Sequence, residues 1–378
     1  MSASKQPNQP GIDLFTLHGV PIRLHWSIFP VFGLLAYSLA TNVFRKELRP
    51  GETDYAWLLG LGTSALFLAS IVLHEMGHAI VAQRNKIPVN SITLYFFGGI
   101  AAAADEPRKP GIEFRVAGAG PLVTALLSIG FFLISRIDAL PHMLSSAFWW
   151  LAGINLALLV FNLIPGYPLD GGRIFHSIIW ATTKSETRAT RYAVRGGQAV
   201  AALLFLYGMY QIAVTGNIFN GLWSMMLAAF LRNAATSTGA YVLTRSILER
   251  ATAAQTMARN IVYLGPRTRV EEVLEHQPAM NVSQAYVVVE DGPLGVFSPI
   301  QLAFVPRERR PWTVVSQIMT PWRQVIEIQP DASLMSVLKD MEQANTTYGV
   351  IRQPDGMVMG ILTRDQIAVR LQHESQRA

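Results

Sequence analysis

Apolar residues fill six stretches of the chain, near 24–44, 56–84, 114–135, 145–164, 197–215 and 218–236. Each is long enough to cross a bilayer, which takes about 20 residues in a helix. Pro121 lies inside the third stretch, Pro141 separates the third from the fourth, and Pro165 ends the fourth. From residue 245 onward charged side chains return at an ordinary soluble density. The pattern predicts a polytopic α-helical membrane domain of about six helices, followed by a soluble α/β domain. The first twenty residues are polar and hold no apolar core of a signal peptide, so no cleaved leader is expected.

The loops between these stretches carry their basic residues unevenly. Lys5, Arg23, Arg84, Lys86, Arg108, Lys109, Arg115, Lys184, Arg188, Arg191 and Arg195 fall on one side; Arg45, Lys46, Arg49 and Arg136 fall on the other. Lys and Arg accumulate in cytoplasmic loops. A multi-pass protein of the cell membrane is therefore expected, with its N-terminus and its soluble tail in the cytoplasm.

Composition narrows the chemistry. Of 378 residues 51% are hydrophobic and 15% charged, against about 25% charged in soluble chains. There are no cysteines, so disulfides and thiolate metal sites are excluded and a metal must be held by His, Asp or Glu. The net charge of +6 is not gathered into a stripe, which argues against nucleic acid as a partner and leaves the lipid bilayer.

The second apolar stretch contains IVLHEMGHAI, residues 71–80. Ionisable groups inside a span are costly and mark functional sites. His74-Glu75-x-x-His78 on a helix puts two imidazoles one turn apart on one face, a spacing that lets both bind one zinc ion with Glu75 beside it as general base. The bland alternative is accidental spacing, with each His packed and hydrogen-bonded. A catalytic zinc wants a third protein ligand and an open position. Asp170, in FNLIPGYPLDGGR at 161–173, is the candidate, although it can also cap the helix that follows. Topology favours the ligand, since the second and fourth stretches run the same way across the membrane and bring both motifs to a similar depth. His176 could compete as a ligand; His18, His25, His142, His276 and His373 lie outside the apolar cores and need no special role.

The two motifs together resemble the site-2 protease family of intramembrane zinc metalloproteases, and the likeness runs along essentially the whole chain. GVPIRLHWS (19–27) resembles the family's entry segment, GAGP (118–121) its third span, and FFGGI (96–100) its glycine hairpin. The resemblance implies that His74, His78 and Asp170 are zinc ligands and that Glu75 is the catalytic acid/base. Asn162, beside the Asp170 turn, is a candidate donor to the oxyanion or substrate backbone. Its alternative role, like that of Asn155, is hydrogen bonding between helices. The implied substrate is a membrane-anchored protein cleaved within or near its transmembrane helix. A helical substrate must unwind first, and the strand-prone stretch around Ile92–Phe97 offers an edge for strand addition, or else a hairpin that merely plugs the bundle.

The tail repeats once: 255–274 aligns with 316–338, and Gly295-Val296-Phe297-Ser298 with Gly360-Ile361-Leu362-Thr363. It resembles a pair of CBS domains, which gives expected boundaries of 1–243 for the protease domain, 244–310 for the first CBS copy and 311–378 for the second. The likeness implies an adenine nucleotide at Thr363 and Asp365 of the second copy. Ile300 stands where the first copy would carry the matching Asp, so a structural role, or one in pairing two chains as a homodimer, is the alternative. From another class, a transporter or channel with cytoplasmic CBS domains would also join spans to such a tail. The His74/Glu75/His78 set with Asp170 fits a hydrolase instead, and the halves of the membrane domain show no repeat.

Overall fold

In the computed structural model, residues 11–45, 53–95, 98–103, 107, 109–276, 285–298, 301–302, 305–352 and 358–377 are described. The chain divides into two compact units, Met1–Gly239 and Ala240–Ala378.

The first unit opens with a hairpin, β1 (Ile12–Leu17) and β2 (Val20–Leu24), ahead of helix α1 (Ile28–Ser38), which continues as a π-helical stretch, Leu39–Phe44. Helix α2 (Thr53–Arg84) carries the His-Glu motif and leads into β3 (Val89–Tyr95) and β4 (Gly98–Ala103). The helices α3 (Pro110–Ser135), α4 (His142–Asn162), α5 (Asp170–Thr183), α6 (Glu186–Ala213) and α7 (Ile218–Arg250) follow, the residues of α7 from Ala240 onward belonging to the second unit. Among the described residues three helical segments are long and apolar enough to cross a membrane: Tyr55–Arg84, Pro110–Ser135 and His142–Asn162. Ile28–Phe44 is apolar but shorter, and α6 and α7 occupy the two remaining predicted stretches. Leu66, Leu73, Leu122, Leu126, Leu133, Leu156 and Val160 point outward, the surface expected where lipid replaces water.

The sheet is ordered β1-β2-β3-β4, with β2 and β3 parallel and β3 and β4 antiparallel. The strand expected around Ile92–Phe97 is present as β3 up to Tyr95, but it does not offer the expected edge: β2 pairs along one side of it and β4 along the other. The N-terminal hairpin was not expected. Val20 and Ile22 of β2 are fully buried against Met76, Ala79 and Ala82 of α2 and Ile92 of β3, which fixes the sheet on the motif helix. β4 is an edge strand. Phe96 and Phe97 lie outside the described residues.

Helix α3 touches α2, α4 and α5, and α5 touches α6. Small residues allow the approach. A Cβ on Gly77 would stand 2.9 Å from the Ala119 carbonyl oxygen, and one on Gly171 would stand 2.3 Å from the backbone of Leu163. The second case explains why glycine follows Asp170: the first turn of α5 lies directly on the end of α4.

The second unit shows the repeat in its topology. β5 (Val262–Leu264), α9 (Val270–His276), β6 (Tyr286–Val289) and β7 (Pro293–Phe297) form one copy; β9 (Glu327–Ile328), α11 (Leu334–Gln343), β10 (Tyr348–Arg352) and β11 (Val358–Thr363) form the other, which ends in α12 (Arg364–Arg377). The short helices α8 (Ala253–Thr256) and α10 (Val315–Ile318) precede the two copies. Each copy pairs a parallel strand couple with an antiparallel hairpin. The leading segments are exchanged. Ala258 bridges Ile361 of the second copy, while β8 (Thr320–Pro321) pairs with β7 of the first.

Candidate metal centre

Three donor atoms converge in the first unit. His74 Nε2 lies 3.1 Å from Asp170 Oδ2, His78 Nε2 lies 3.3 Å from the same oxygen, and the two Nε2 atoms are 3.2 Å apart. His74 and His78 come from adjacent turns of α2, and Asp170 is the first residue of α5. The residue at the cap of that helix is Leu169, and no side-chain cap bond forms, so the Asp170 carboxylate is turned toward the histidines and not onto its own helix.

The set suits a zinc ion. Zinc binds His nitrogen at about 2.0–2.1 Å and carboxylate oxygen at about 2.0–2.2 Å in a tetrahedron, whose edges are then about 3.3–3.4 Å. The three edges present, 3.1, 3.2 and 3.3 Å, match one face of such a tetrahedron, so the three residues would supply three of its four positions. Among the described residues this is the group of three or more His, Asp and Glu side chains able to share a metal.

Helix α3 orients both rings. His78 Nδ1 donates to the Val116 carbonyl over 2.7 Å, which leaves the lone pair on Nε2, where a metal needs it. His74 Nδ1 meets Thr124 Oγ1 at 2.7 Å, and both residues are buried. Between these two partners Gly120 faces the imidazoles, with room for a hydrogen only. Val116, Gly120 and Thr124 are spaced four apart and form one stripe of the helix. The sequence marked this segment through GAGP but offered no sign that Thr124 and a main-chain carbonyl would serve the histidines.

Glu75 follows His74 on α2, is half-buried, and lies within electrostatic range of His78, His74, Asp170 and Arg173. Asn162 is the last residue of α4, half-buried, immediately before the Leu163 backbone on which α5 begins. Asn155 is fully buried and donates within its own helix, to the Leu151 carbonyl at 2.8 Å, so the interhelical bond expected for it is not made by that amide. His176 does not join the metal group. Its Nδ1 meets Glu113 Oε2 at 2.8 Å and its Nε2 meets Thr190 Oγ1 at 3.1 Å.

In the tail, Thr363 ends β11 and closes a reciprocal cap with Gln366. Its Oγ1 accepts from the Gln366 N–H at 3.3 Å, and its own N–H donates to Gln366 Oε1 at 3.1 Å. The Ser298 N–H donates to Gln301 Oε1 at 2.9 Å, half of the same device in the other copy. Asp365 is the second residue of α12. Ile300 lies outside the described residues.

An apolar helical unit in which two histidines and an aspartate converge beside a glutamate has the donor set that a metal-dependent hydrolase needs, and comparison with known proteins supplies the class. The profile of peptidase family M50 matches residues 62–138 and 133–204, and that of the CBS domain matches 315–373. A Mycobacterium tuberculosis protein named as zinc metalloprotease Rip3 is 31% identical over 367 residues, 94% of this chain and 92% of its own length. A Synechocystis protein named as zinc metalloprotease sll0528 is 31% identical, over 94% of each chain. The solved site-2 protease from Methanocaldococcus jannaschii is similar at 27% identity, covering 61% of this chain and 95% of that one, with a TM-score of 0.41. The chain belongs to peptidase family M50, the site-2 protease family of zinc metalloproteases, and carries a CBS domain at its C-terminal end. That assignment decides between protease and transporter in favour of the protease.

Proposed function

We propose that His74, His78 and Asp170 hold one zinc ion and that Glu75 moves the proton in hydrolysis of a peptide bond within or near a transmembrane segment of a membrane-anchored protein. The convergence of three donor atoms within 3.1–3.3 Å carries the reading. Zinc, when bound, supplies a Lewis acid for the scissile carbonyl and makes water acidic enough to attack near neutral pH. Glu75 takes the proton of the attacking water and delivers it to the leaving amine nitrogen, since a carboxylate beside the site can serve in both directions. The Asn162 amide donates to the developing oxyanion. The substrate, once unwound, adds as a strand to the edge at β4, and its main chain is held extended by hydrogen bonds.

The metal reading is tested by measuring zinc in purified full-length protein. One zinc per chain is expected in the wild type, with near-complete loss of metal and cleavage in His74→Ala, His78→Ala and Asp170→Ala. Full zinc stoichiometry in Asp170→Ala would return that residue to a structural role.

In this proposal the N-terminus and the tail are cytoplasmic, because the basic loops fall on their side. The protease domain runs over 1–243, and the tail is a CBS pair, 244–310 and 311–378, that pairs chains and takes an adenine nucleotide at Asp365 and Thr363. The matched topology of the two copies supports the pair. Titration of the full-length protein with ATP, ADP and AMP should show binding that Asp365→Ala removes. Absence of binding, or binding unchanged in the variant, would leave a structural module.

A further inference from the structure

Among the described residues, Glu113 and His176 form a buried ionisable pair that the proposed chemistry does not use. Glu113 is 9% exposed and His176 2%. Glu113 stands on α3 and His176 on α5, and the His176 ring is bonded on both sides, by Glu113 at 2.8 Å and by Thr190 of α6 at 3.1 Å. Tyr167 and Trp180 pack near the ring, with centroids 5.6 and 5.9 Å away. Thr190 is fully buried and is itself tied back, donating to the Glu186 carbonyl at 2.9 Å. Polar groups placed so deep must be bonded, and these are.

Position gives the pair its meaning. Glu113, Val116, Gly120 and Thr124 follow one another at intervals of three, four and four residues, so they share one stripe of α3. Thr124 holds the His74 ring, the Val116 carbonyl holds the His78 ring, and Gly120 lies against both. Glu113 extends the same stripe by one turn and grips α5, the helix that Asp170 begins. Two of the three ligand-bearing positions are thus oriented by direct bonds from α3. Asp170 is oriented through its helix.

We infer that the Glu113–His176 pair is the third tether of the metal centre, positioning residues that set where the Asp170 carboxylate stands relative to the two imidazoles. The inference deepens the proposed zinc site and rests on it. Groups that orient metal ligands change metal affinity or activity by about 10–100-fold when removed. A pair that served only to join helices would behave otherwise, because replacing both members of a buried hydrogen bond by apolar groups of similar shape is close to neutral for stability.

The double variant Glu113→Leu/His176→Phe separates these roles. Zinc affinity is measured by chelator competition on the full-length protein in detergent, with thermal unfolding of the metal-free protein recorded alongside. We expect metal-free stability near wild type and zinc affinity about 10–100-fold lower. Glu113→Gln keeps a carbonyl oxygen able to accept from His176 Nδ1 and should stay within a few-fold of wild type. Unchanged zinc affinity in the double variant, or in a single Glu113→Ala should the double fail to fold, would overturn the tether. His74→Ala is the reference: if it binds zinc as wild type does, the metal site itself is misassigned and the tether falls with it.

Discussion

Glu75→Gln protein retains one zinc per chain and loses cleavage by about 10²–10⁴-fold, the range that a positioned general base supplies. Gln has the shape of Glu, so the packing of α2 is kept. Its amide cannot take a proton from water and pass it on. Because Glu75 is not among the three converging donors, the metal should stay. The measurement pairs zinc content with the initial rate on a single-span substrate in detergent. Cleavage near the wild-type rate would remove Glu75 from the mechanism, and loss of zinc together with activity would make it a ligand.

Gly120→Ala loses zinc and activity together, although it adds one methyl group to a helix. The new Cβ would lie 2.2 Å from His78 Nε2 and 2.7 Å from His74 Nε2, distances that atoms do not tolerate without displacement. Neither ring can give way easily. His78 is held by the Val116 carbonyl and His74 by Thr124, and both anchors sit on the same stripe as the intruding methyl. The cost therefore falls on the Nε2 atoms that the metal needs. Gly118→Ala, two residues away, meets nothing within 4 Å and should be neutral or slightly stabilising, since Ala is favoured over Gly in helices by about 1 kcal/mol. Zinc content and cleavage of the two variants side by side test the geometry. Normal zinc binding by Gly120→Ala would mean that α3 does not lie against the histidines.

Much of the centre was legible from residue spacing. His74 and His78 sit four apart in an apolar run, and helical period alone aligns them. Asp170 was drawn to them by topology. The helix-cap alternative for Asp170 could not be dismissed from the chain, because a carboxylate before Gly-Gly suits either role; the fold turns its oxygen toward both rings. His176 shows the opposite case. As an isolated histidine near the motif it was a plausible rival ligand, yet Glu113 and Thr190 occupy both its nitrogens. Glu113 carries no such signal, because the apolar run starts at Phe114 and leaves it outside; only the helix, which begins at Pro110, makes it an ionisable group within the bundle.

The sequence by itself determined what is set by local period and composition: apolar helices, a histidine pair on one helical face, and a tail of two similar copies. These depend on residues a turn or a repeat apart. Tertiary structure decided which side chain meets which across helices far apart in the chain. The Thr124 hydroxyl, the Val116 carbonyl and the Glu113 carboxylate are ordinary groups until α3 packs between α2 and α5. Their role follows from a register between helices, set by where Gly77 and Gly120 permit close approach, and one sequence read locally carries no measure of that register.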